Sequence, residues 1–230
     1  MNENIIAINE KTWRIEDGGV RLFLLSGSER ALLIDTGMTL TDARAIAQSL
    51  TDKPLELLNT HADRDHIAGN AAFDRFYMHP AEAAHYRESG LPGEIVPIND
   101  GDVIDLGGRP LRIIHLPGHT PGSVAVLDEN ARVLISGDPI QAHGRIFMMG
   151  AHRDMAEYIK SLDRLTAFTG DFDEVWPSHA DIPVSPDTIA RLRDGARDIL
   201  AGQVPGRVVD MHGRAVTLYN LGFCALLCDA

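Results

Sequence analysis

The sequence predicts an α/β protein built as a four-layer αββα sandwich, in which two mixed β-sheets pack face to face and helices cover their outer faces. Short strand-like runs occur in two blocks of the chain, and helix-like segments accompany each block. No shift in composition marks a linker, and 230 residues suffice for one sizeable domain but not for two. We therefore expect residues 1–230 to form a single domain.

The first block begins with a hairpin and continues as strands and helices. Gly18-Gly19 separates two strand-like runs, as the turn of a hairpin would. Helices are expected at about residues 42–50, where Thr41-Asp42 offers an N-cap, and at about 80–89, where Pro80 suits a first turn. The strands of this block are expected at residues 12–17, 20–25, 31–37 and 55–60.

The second block is richer in strands. Four short apolar units are separated by Gly, Pro and an Asp-Glu-Asn run, at residues 101–108, 110–116, 123–130 and 131–138. Helices are expected near residues 155–168 and 187–201, on either side of a strand-like run at 174–179. The chain is expected to finish in strands at about 207–212, 215–220 and 222–228.

The net charge and the composition of the chain indicate which kinds of partner and location to expect. Asp and Glu outnumber Lys and Arg by 33 to 21, so the formal net charge is −12 and a nucleic-acid partner is not expected. Neither a membrane span nor a secretory signal is recognisable. Cys224 and Cys228 are expected to be buried free thiols, which favours a cytoplasmic protein. We expect a small-molecule substrate, and the sequence leaves the oligomeric state open.

Histidines and aspartates follow several of the predicted strands. Residues 59–66, with the sequence Asn-Thr-His-Ala-Asp-Arg-Asp-His, hold four potential metal ligands within six positions. Three further candidates lie in a tight Pro-Gly-His loop, at the last residue of the run at 131–138 and at the last residue of the run at 174–179. The full set is His61, Asp63, Asp65, His66, His119, Asp138 and His179.

This set matches what two neighbouring divalent cations require, namely about seven nitrogen and oxygen ligands with one ligand shared. In a tight loop, His61 and Asp63 point one way and serve the first ion, whereas Asp65 and His66 serve the second. His119 and His179 would each complete one of the two sites. The remaining carboxylate, which has two oxygens, is suited to bridging the ions.

In this order and approximate spacing, the motifs resemble the metallo-β-lactamase fold superfamily of binuclear metallohydrolases, and glyoxalase II in particular. The resemblance covers about residues 12–182. Its signature His-x-His-x-Asp-His corresponds to residues 61–66, and its later ligands correspond to His119, Asp138 and His179. The family's early strand resembles residues 32–37, which implies that Asp35 supports the metal loop from behind.

The chain departs from the family pattern at Asp63, a position that the family usually fills with histidine. A carboxylate adds a hard anionic oxygen, which lowers Lewis acidity and makes the first site more favourable to iron or manganese than three imidazoles would be. The rest of the pattern matches hydrolases, so two zinc ions are expected, with iron or manganese as the alternatives.

The resemblance implies hydrolysis of an ester, thioester or lactone of a small molecule by a metal-bridging hydroxide. Asp65 would be a metal ligand and would also accept the hydrogen bond that orients the hydroxide. Two alternatives remain at this point. One is a di-iron, flavodiiron-like domain that reduces oxygen or nitric oxide with a separate electron donor. The other is a metal-stabilised binding domain without turnover.

The segment at residues 139–153 follows the bridging aspartate, and in similar proteins this stretch often passes over the metal cleft. It predicts a substrate pocket lined by His143, Arg145 and Met148, although an ordinary packed connection is the alternative. Four of the other histidines are expected to be surface or packing residues, namely His79, His85, His115 and His212.

Overall fold

A computed structural model describes residues 4–211 and 213–230, so the expectation for His212 lies outside the described residues. Two β-sheets form the centre of the fold, and helices cover their outer faces. The predicted αββα sandwich is therefore confirmed. The helices are α1 (Ala43–Leu50), α2 (Ala83–Glu88), α3 (Met155–Thr166) and α4 (Asp187–Leu200), with short 3-10 turns at Asn70–Ala72 and Pro80–Glu82.

The first sheet has seven strands in sequence order. Pairing is antiparallel from the first strand to the fourth and parallel from the fourth to the seventh. The strands are β1 (Ile5–Asn9), β2 (Thr12–Asp17), β3 (Val20–Ser26), β4 (Ala31–Ile34), β5 (Leu55–Leu58), β6 (Arg75–Met78) and β7 (Glu94–Pro97).

The second sheet has five strands in the order β13-β11-β10-β9-β8. Only the β11–β13 pair is parallel, and the others are antiparallel. The strands are β8 (Val103–Asp105), β9 (Pro110–His115), β10 (Val124–Asp128), β11 (Val133–Gly137) and β13 (Glu174–Pro177).

Period-two alternation assigns the strand residues to the layers. In β3, Phe23 and Leu25 join the core between the sheets, whereas Leu22 and Leu24 face the layer of α1 and α2. In β10, alternate residues likewise face the intersheet core and the layer of α3 and α4. Both faces of these strands are buried, which explains why they read as continuous apolar runs.

The C-terminal strands form a third, four-stranded sheet that was not predicted. Its order is β12-β16-β15-β14, with β12 (Arg145–Met148), β14 (Gly206–Met211), β15 (Arg214–Asn220) and β16 (Ala225–Asp229). Strand β12 lies in the segment that was predicted to line a substrate pocket, and it pairs in parallel with β16. The short strands β1, β6 and β7 were also missed, because four or five residues carry little periodicity.

Both cysteines are free, as predicted; Cys224 is buried and Cys228 is half-buried. Among the described residues, none of the helices is long and apolar enough to cross a membrane.

The C-terminal ends of β9, β11 and β13 lie at one edge of the second sheet, because β9 and β11 both run antiparallel to β10, and β11 runs parallel to β13. At the opposite edge, Arg109 forms hydrogen bonds with residues of both sheets. Its guanidinium donates to Asp128 at 2.8 Å in the second sheet and to Thr12 Oγ1 at 2.8 Å and the Ser26 carbonyl at 3.1 Å in the first. The Asp128 side chain is only 2% exposed, so this ion pair is largely shielded from solvent.

Replacing Arg109 with Met is expected to lower the free energy of unfolding by about 3–5 kcal/mol, because it leaves the Asp128 carboxylate buried without its cation. Urea unfolding monitored by circular dichroism measures the change. Arg132→Met is the control, since it breaks a solvent-exposed arginine–aspartate pair with Asp173. Equal losses in the two variants would contradict the role assigned to Arg109.

Candidate metal centre

The loop after β5 is held in a tight turn by its own polar side chains. The His66 amide donates to the Asp63 carbonyl at 2.9 Å, and the Asn59 side chain donates to the His66 carbonyl at 3.0 Å. Asn59 also pairs with Asn70, which anchors the turn to the following segment. The alternation of ligands at residues 61–66 therefore sits on a rigid loop at the end of a buried strand.

The loop after β9 places His119 against α3. Gly118 has a φ of +131°, and a Cβ there would lie 2.3 Å from the backbone of Tyr158, so only glycine allows this approach. The Gly118 carbonyl accepts the Asp154 amide at 2.8 Å, next to the start of α3. His119 itself is fully buried, as are His61 and His66.

The structure brings the seven predicted side chains together in two groups. In the first, Asp63 Oδ2 lies 3.5 Å from His61 Nε2 and 3.3 Å from His119 Nε2. In the second, Asp65 Oδ2 lies 3.2 Å from His179 Nε2 and 3.7 Å from His66 Nε2.

Asp138 lies between the two groups and offers one oxygen to each. Its Oδ1 is 3.1 Å from His66 Nε2 and 3.3 Å from His179 Nε2, in the second group. Its Oδ2 is 3.7 Å from His119 Nε2, in the first group. The side chain is 5% exposed, so its charge is largely removed from solvent.

All four histidines of the cluster have their Nδ1 atoms occupied by hydrogen bonds. His66 donates to Asp35 at 2.8 Å, His119 to the Phe147 carbonyl at 3.0 Å, and His179 to the Gly19 carbonyl at 2.7 Å. His61 donates to Thr60 Oγ1 at 3.0 Å, since that hydroxyl gives its own proton to Asp35. These bonds fix the tautomer that leaves each Nε2 lone pair for a metal ion.

Among the described residues, several buried atoms at the centre of the cluster have no hydrogen-bond partner, namely Nε2 of His61, His66 and His119 and Oδ1 of Asp138. A buried polar atom without a hydrogen-bond partner costs free energy. Several such atoms in one cluster therefore indicate a partner other than a protein group, such as a bound ion. Imidazole nitrogens and carboxylate oxygens are the ligands that divalent transition metals prefer. The donor set therefore fits divalent metal ions.

The electrostatics of the second group favour positive charge. Burial alone would lower the pKa of His66, but Asp138 and Asp35 raise it well above its usual value. Burial opposes the charged form of His179 as well, yet Asp138 and Asp65 raise its pKa to about 10. The same neighbours hold the pKa of Asp138 well below its usual value despite its burial.

The first group behaves differently at His119, where burial and the charge of Arg153 both oppose protonation. Burial dominates at His119 and lowers its pKa, although Asp63 opposes the change. Burial would raise the pKa of Asp63, but the neighbouring His119 and His61 side chains hold it far below its usual value. Asp63 is therefore an anion and His119 a neutral imidazole at neutral pH.

Asp35 lies behind the loop, as the resemblance implied. It is fully buried at the end of β4 and has a φ of +64°. One oxygen accepts the Thr60 amide at 2.8 Å, and the other accepts the Thr60 hydroxyl and His66 Nδ1, each at 2.8 Å. A single carboxylate thus positions the loop backbone and one histidine of the cluster.

The predicted substrate residues do not form part of this cluster. His143 is 68% exposed and pairs with Asp181 at 2.6 Å, and Arg145 is exposed. The prediction that Met148 lines a pocket does not fit its position, because the alternation in β12 buries Met148 in the core against α3 and α4. The outward-facing neighbour is Phe147, whose carbonyl holds His119.

Three residues at the cluster were missed by the sequence reasoning. Arg153 Nη2 lies 2.5 Å from Asp63 Oδ2, and His85 Nε2 lies 3.5 Å from Asp63 Oδ1. His85 was expected to be an ordinary surface or packing histidine. Arg153 is the last residue of the segment that was predicted to line a substrate pocket. The sequence therefore indicated that this segment lies near the cluster, but not that Arg153 pairs with Asp63.

The third missed residue is Glu82, a fully buried carboxylate that joins two ligand loops. It accepts the Ala62 amide at 2.9 Å and the Gly122 amide at 2.6 Å. A Cβ on Gly122 would lie 2.7 Å from Glu82 Cγ, so glycine is required for this contact. Burial would raise the pKa of Glu82, but the neighbouring His85 and Thr120 side chains and the Gly122 amide lower it to about 2.

Glu82→Gln is expected to lower the free energy of unfolding at neutral pH by about 3 kcal/mol, because the folded state holds the charged form. A lowered pKa stabilises the fold above the ordinary glutamate value, and this contribution is lost as the pH falls towards 2. The difference from wild type should therefore shrink below about pH 4.5.

Urea unfolding at several pH values measures this difference. Glu94→Gln is the control, since Glu94 is an exposed glutamate on β7. A difference between wild type and Glu82→Gln that stays constant with pH would point to lost packing instead of lost charge.

Comparison with known proteins places this geometry in a family. The profile of the metallo-β-lactamase superfamily matches residues 16–179, which is more than half of the chain. The acyl-coenzyme A thioesterase MBLAC2 of Bos taurus is 27% identical over 224 residues, covering 78% of this chain and 79% of that protein. The hydroxyacylglutathione hydrolase of Gloeobacter violaceus is 35% identical over 144 residues, covering 60% of this chain and 55% of that protein.

Solved structures agree on the fold. A metallo-β-lactamase from Pontibacter korlensis superposes with a TM-score of 0.71 at 19% identity, covering 84% of this chain and 98% of that chain. The profile match spans every predicted metal ligand, from His61 to His179. This chain therefore belongs to the metallo-β-lactamase superfamily.

Proposed function

We propose that the protein is a binuclear, zinc-dependent hydrolase that cleaves an ester, thioester or lactone of a small molecule. The observation that carries this proposal is a cluster of seven side chains of the types that bind metal ions. Several of their imidazole nitrogen and carboxylate oxygen atoms are buried and have no hydrogen-bond partner. Among its relatives, an acyl-coenzyme A thioesterase and a hydroxyacylglutathione hydrolase are hydrolases by name, which supports the reaction class.

The two groups would hold one ion each. His61, Asp63 and His119 would serve the first ion, and Asp65, His66 and His179 the second, with Asp138 shared between them. Ligand atoms of His61, His119 and Asp138, and separately of Asp65, His66 and His179, lie within 4.8 Å of one another. These spacings support two neighbouring sites.

When bound, a pair of divalent cations supplies a water of lowered pKa and positive charge for a developing oxyanion. The protein contributes position and a proton acceptor. The Asp65 side chain is 28% exposed, more than any other side chain in its group, so it can meet an entering water or substrate. Its anionic form is favoured, because His179 and His66 lower its pKa against the effect of burial. Asp65 would thus orient the attacking water and take up its proton.

Thioesters are favoured over β-lactams as substrates. The shared ligand is Asp138, whereas the common β-lactamases typically carry cysteine at this position. Relatives named as an acyl-coenzyme A thioesterase and a hydroxyacylglutathione hydrolase support this preference. The net charge of −12 argues against a nucleic-acid substrate.

The full chain, purified without chelators, is expected to contain about two zinc ions and to hydrolyse simple thioesters or lactones. Removing the metal with a chelator should abolish turnover, and adding zinc should restore it. Metal analysis and a screen of thioesters, esters, lactones and phosphodiesters with zinc, manganese and iron measure both properties. Two irons with consumption of oxygen would instead support a flavodiiron-like reductase, and zinc without any turnover would support a binding domain.

Asp65→Asn is expected to lower kcat/KM by at least about 100-fold while the fold is kept, because the amide cannot accept the proton of the attacking water. Steady-state kinetics on the best substrate of the screen gives the rate, and circular dichroism confirms folding. Asp52→Asn is the control, since Asp52 is 87% exposed. Retention of full activity by Asp65→Asn would rule out its role in catalysis.

A further inference from the structure

We propose that Arg153 is a positioning residue that pairs with Asp63 and thereby makes the first group the weaker of the two zinc sites. This inference rests on the proposed binuclear centre and adds to it the order in which the sites fill. It starts from the one position at which the chain departs from the family's ligand pattern, where a carboxylate replaces the usual histidine.

Arg153 is fixed in place by two contacts. Its Nη2 lies 2.5 Å from Asp63 Oδ2, and its Nε donates to the Phe147 carbonyl at 3.0 Å. The same carbonyl accepts the Nδ1 proton of His119. The guanidinium therefore spans one candidate ligand and the group that orients another. Its side chain is only 11% exposed, so solvent and salt screen its charge weakly.

The arginine and a metal ion would compete for the same oxygen. Asp63 Oδ2 lies 3.5 Å from His61 Nε2 and 3.3 Å from His119 Nε2, and it is also the atom that Arg153 binds. An ion bound among these three residues would share this oxygen with the guanidinium and lie close to its positive charge. Both effects weaken binding.

The second group has no such competitor. In the part of the chain that the structure describes, the ion pairs of Asp65 and Asp138 are with histidines only. A histidine loses its proton to a metal ion, whereas an arginine keeps its charge. The second group should therefore fill first.

The pairing also explains how a carboxylate can replace a histidine at this position. Asp63 and Arg153 together carry no net charge, and a neutral imidazole carries none either. The ion pair thus offsets the extra negative charge that would lower the Lewis acidity of the first ion. Asp63 can thus serve as an oxygen ligand with a smaller loss of Lewis acidity at the first ion.

The test is zinc retention by the full chain, equilibrated against chelator buffers that set the free zinc concentration. Wild type is expected to lose its two zinc ions in two separate steps. In Arg153→Gln, the weaker step should move to about tenfold lower free zinc, because the competing charge is gone, and the tighter step should not move. Arg153→Met, which keeps the aliphatic stem, should behave in the same way and serves as a second neutral variant.

Two further variants separate the pairing from general effects of charge or structure. Arg153→Lys keeps the positive charge and should stay close to wild type. Arg64→Gln removes an exposed arginine next to Asp63 in sequence and should leave both steps nearly unchanged. A structural defect would weaken zinc binding, so tightening is a result that loss of structure does not produce.

Several results would overturn this proposal. They are a weaker step that stays in place or moves to higher free zinc in the neutral variants, an equal shift in Arg64→Gln, or a wild type that retains fewer than two zinc ions. Substrate turnover is measured separately. If the shift is seen but no substrate is hydrolysed, the proposed function fails and the role of Arg153 stands.

Discussion

The contact of Asp138 with histidines from both sheets is the interaction on which the site depends. Asp138 follows β11 of the second sheet, His66 follows β5 of the first, and the two side chains meet at 3.1 Å. Such a contact requires both sheets to present strand ends at the same edge of the sandwich. The fold therefore acts as a frame that brings distant parts of the chain to one buried point.

The two ends of the sandwich handle buried charge in opposite ways. At the end away from the cluster, Arg109 satisfies Asp128 with a complete ion pair and adds bonds to the first sheet. At the cluster, imidazole and carboxylate atoms face one another without complete hydrogen bonding. The first arrangement contributes to stability, whereas the second leaves unpaired nitrogen and oxygen atoms that are able to bind a cation, at the expense of stability.

Much of this could be predicted from the sequence, because strand ends and ligand types are local signals. The loop at residues 61–66 and the ligands that follow β9, β11 and β13 could be located one motif at a time. Glu82, His85 and Arg153 could not, since each acts through a partner 20 or more residues away in sequence. The burial of Met148 could not be predicted either, because β12 is formed by pairing with β16, a contact that no local pattern contains.

Asp63 shows that replacing one candidate ligand also changes which neighbouring side chains are favourable. A histidine there would need only a hydrogen-bond acceptor on its far nitrogen, as the other four histidines of the cluster have. A carboxylate brings charge into a site that is already acidic, so a nearby cation becomes favourable. Arg153 supplies that cation from a segment that also holds His119 through the Phe147 carbonyl. Asp63 and Arg153 are therefore best understood as one unit, and an ion bound in the first group would meet both.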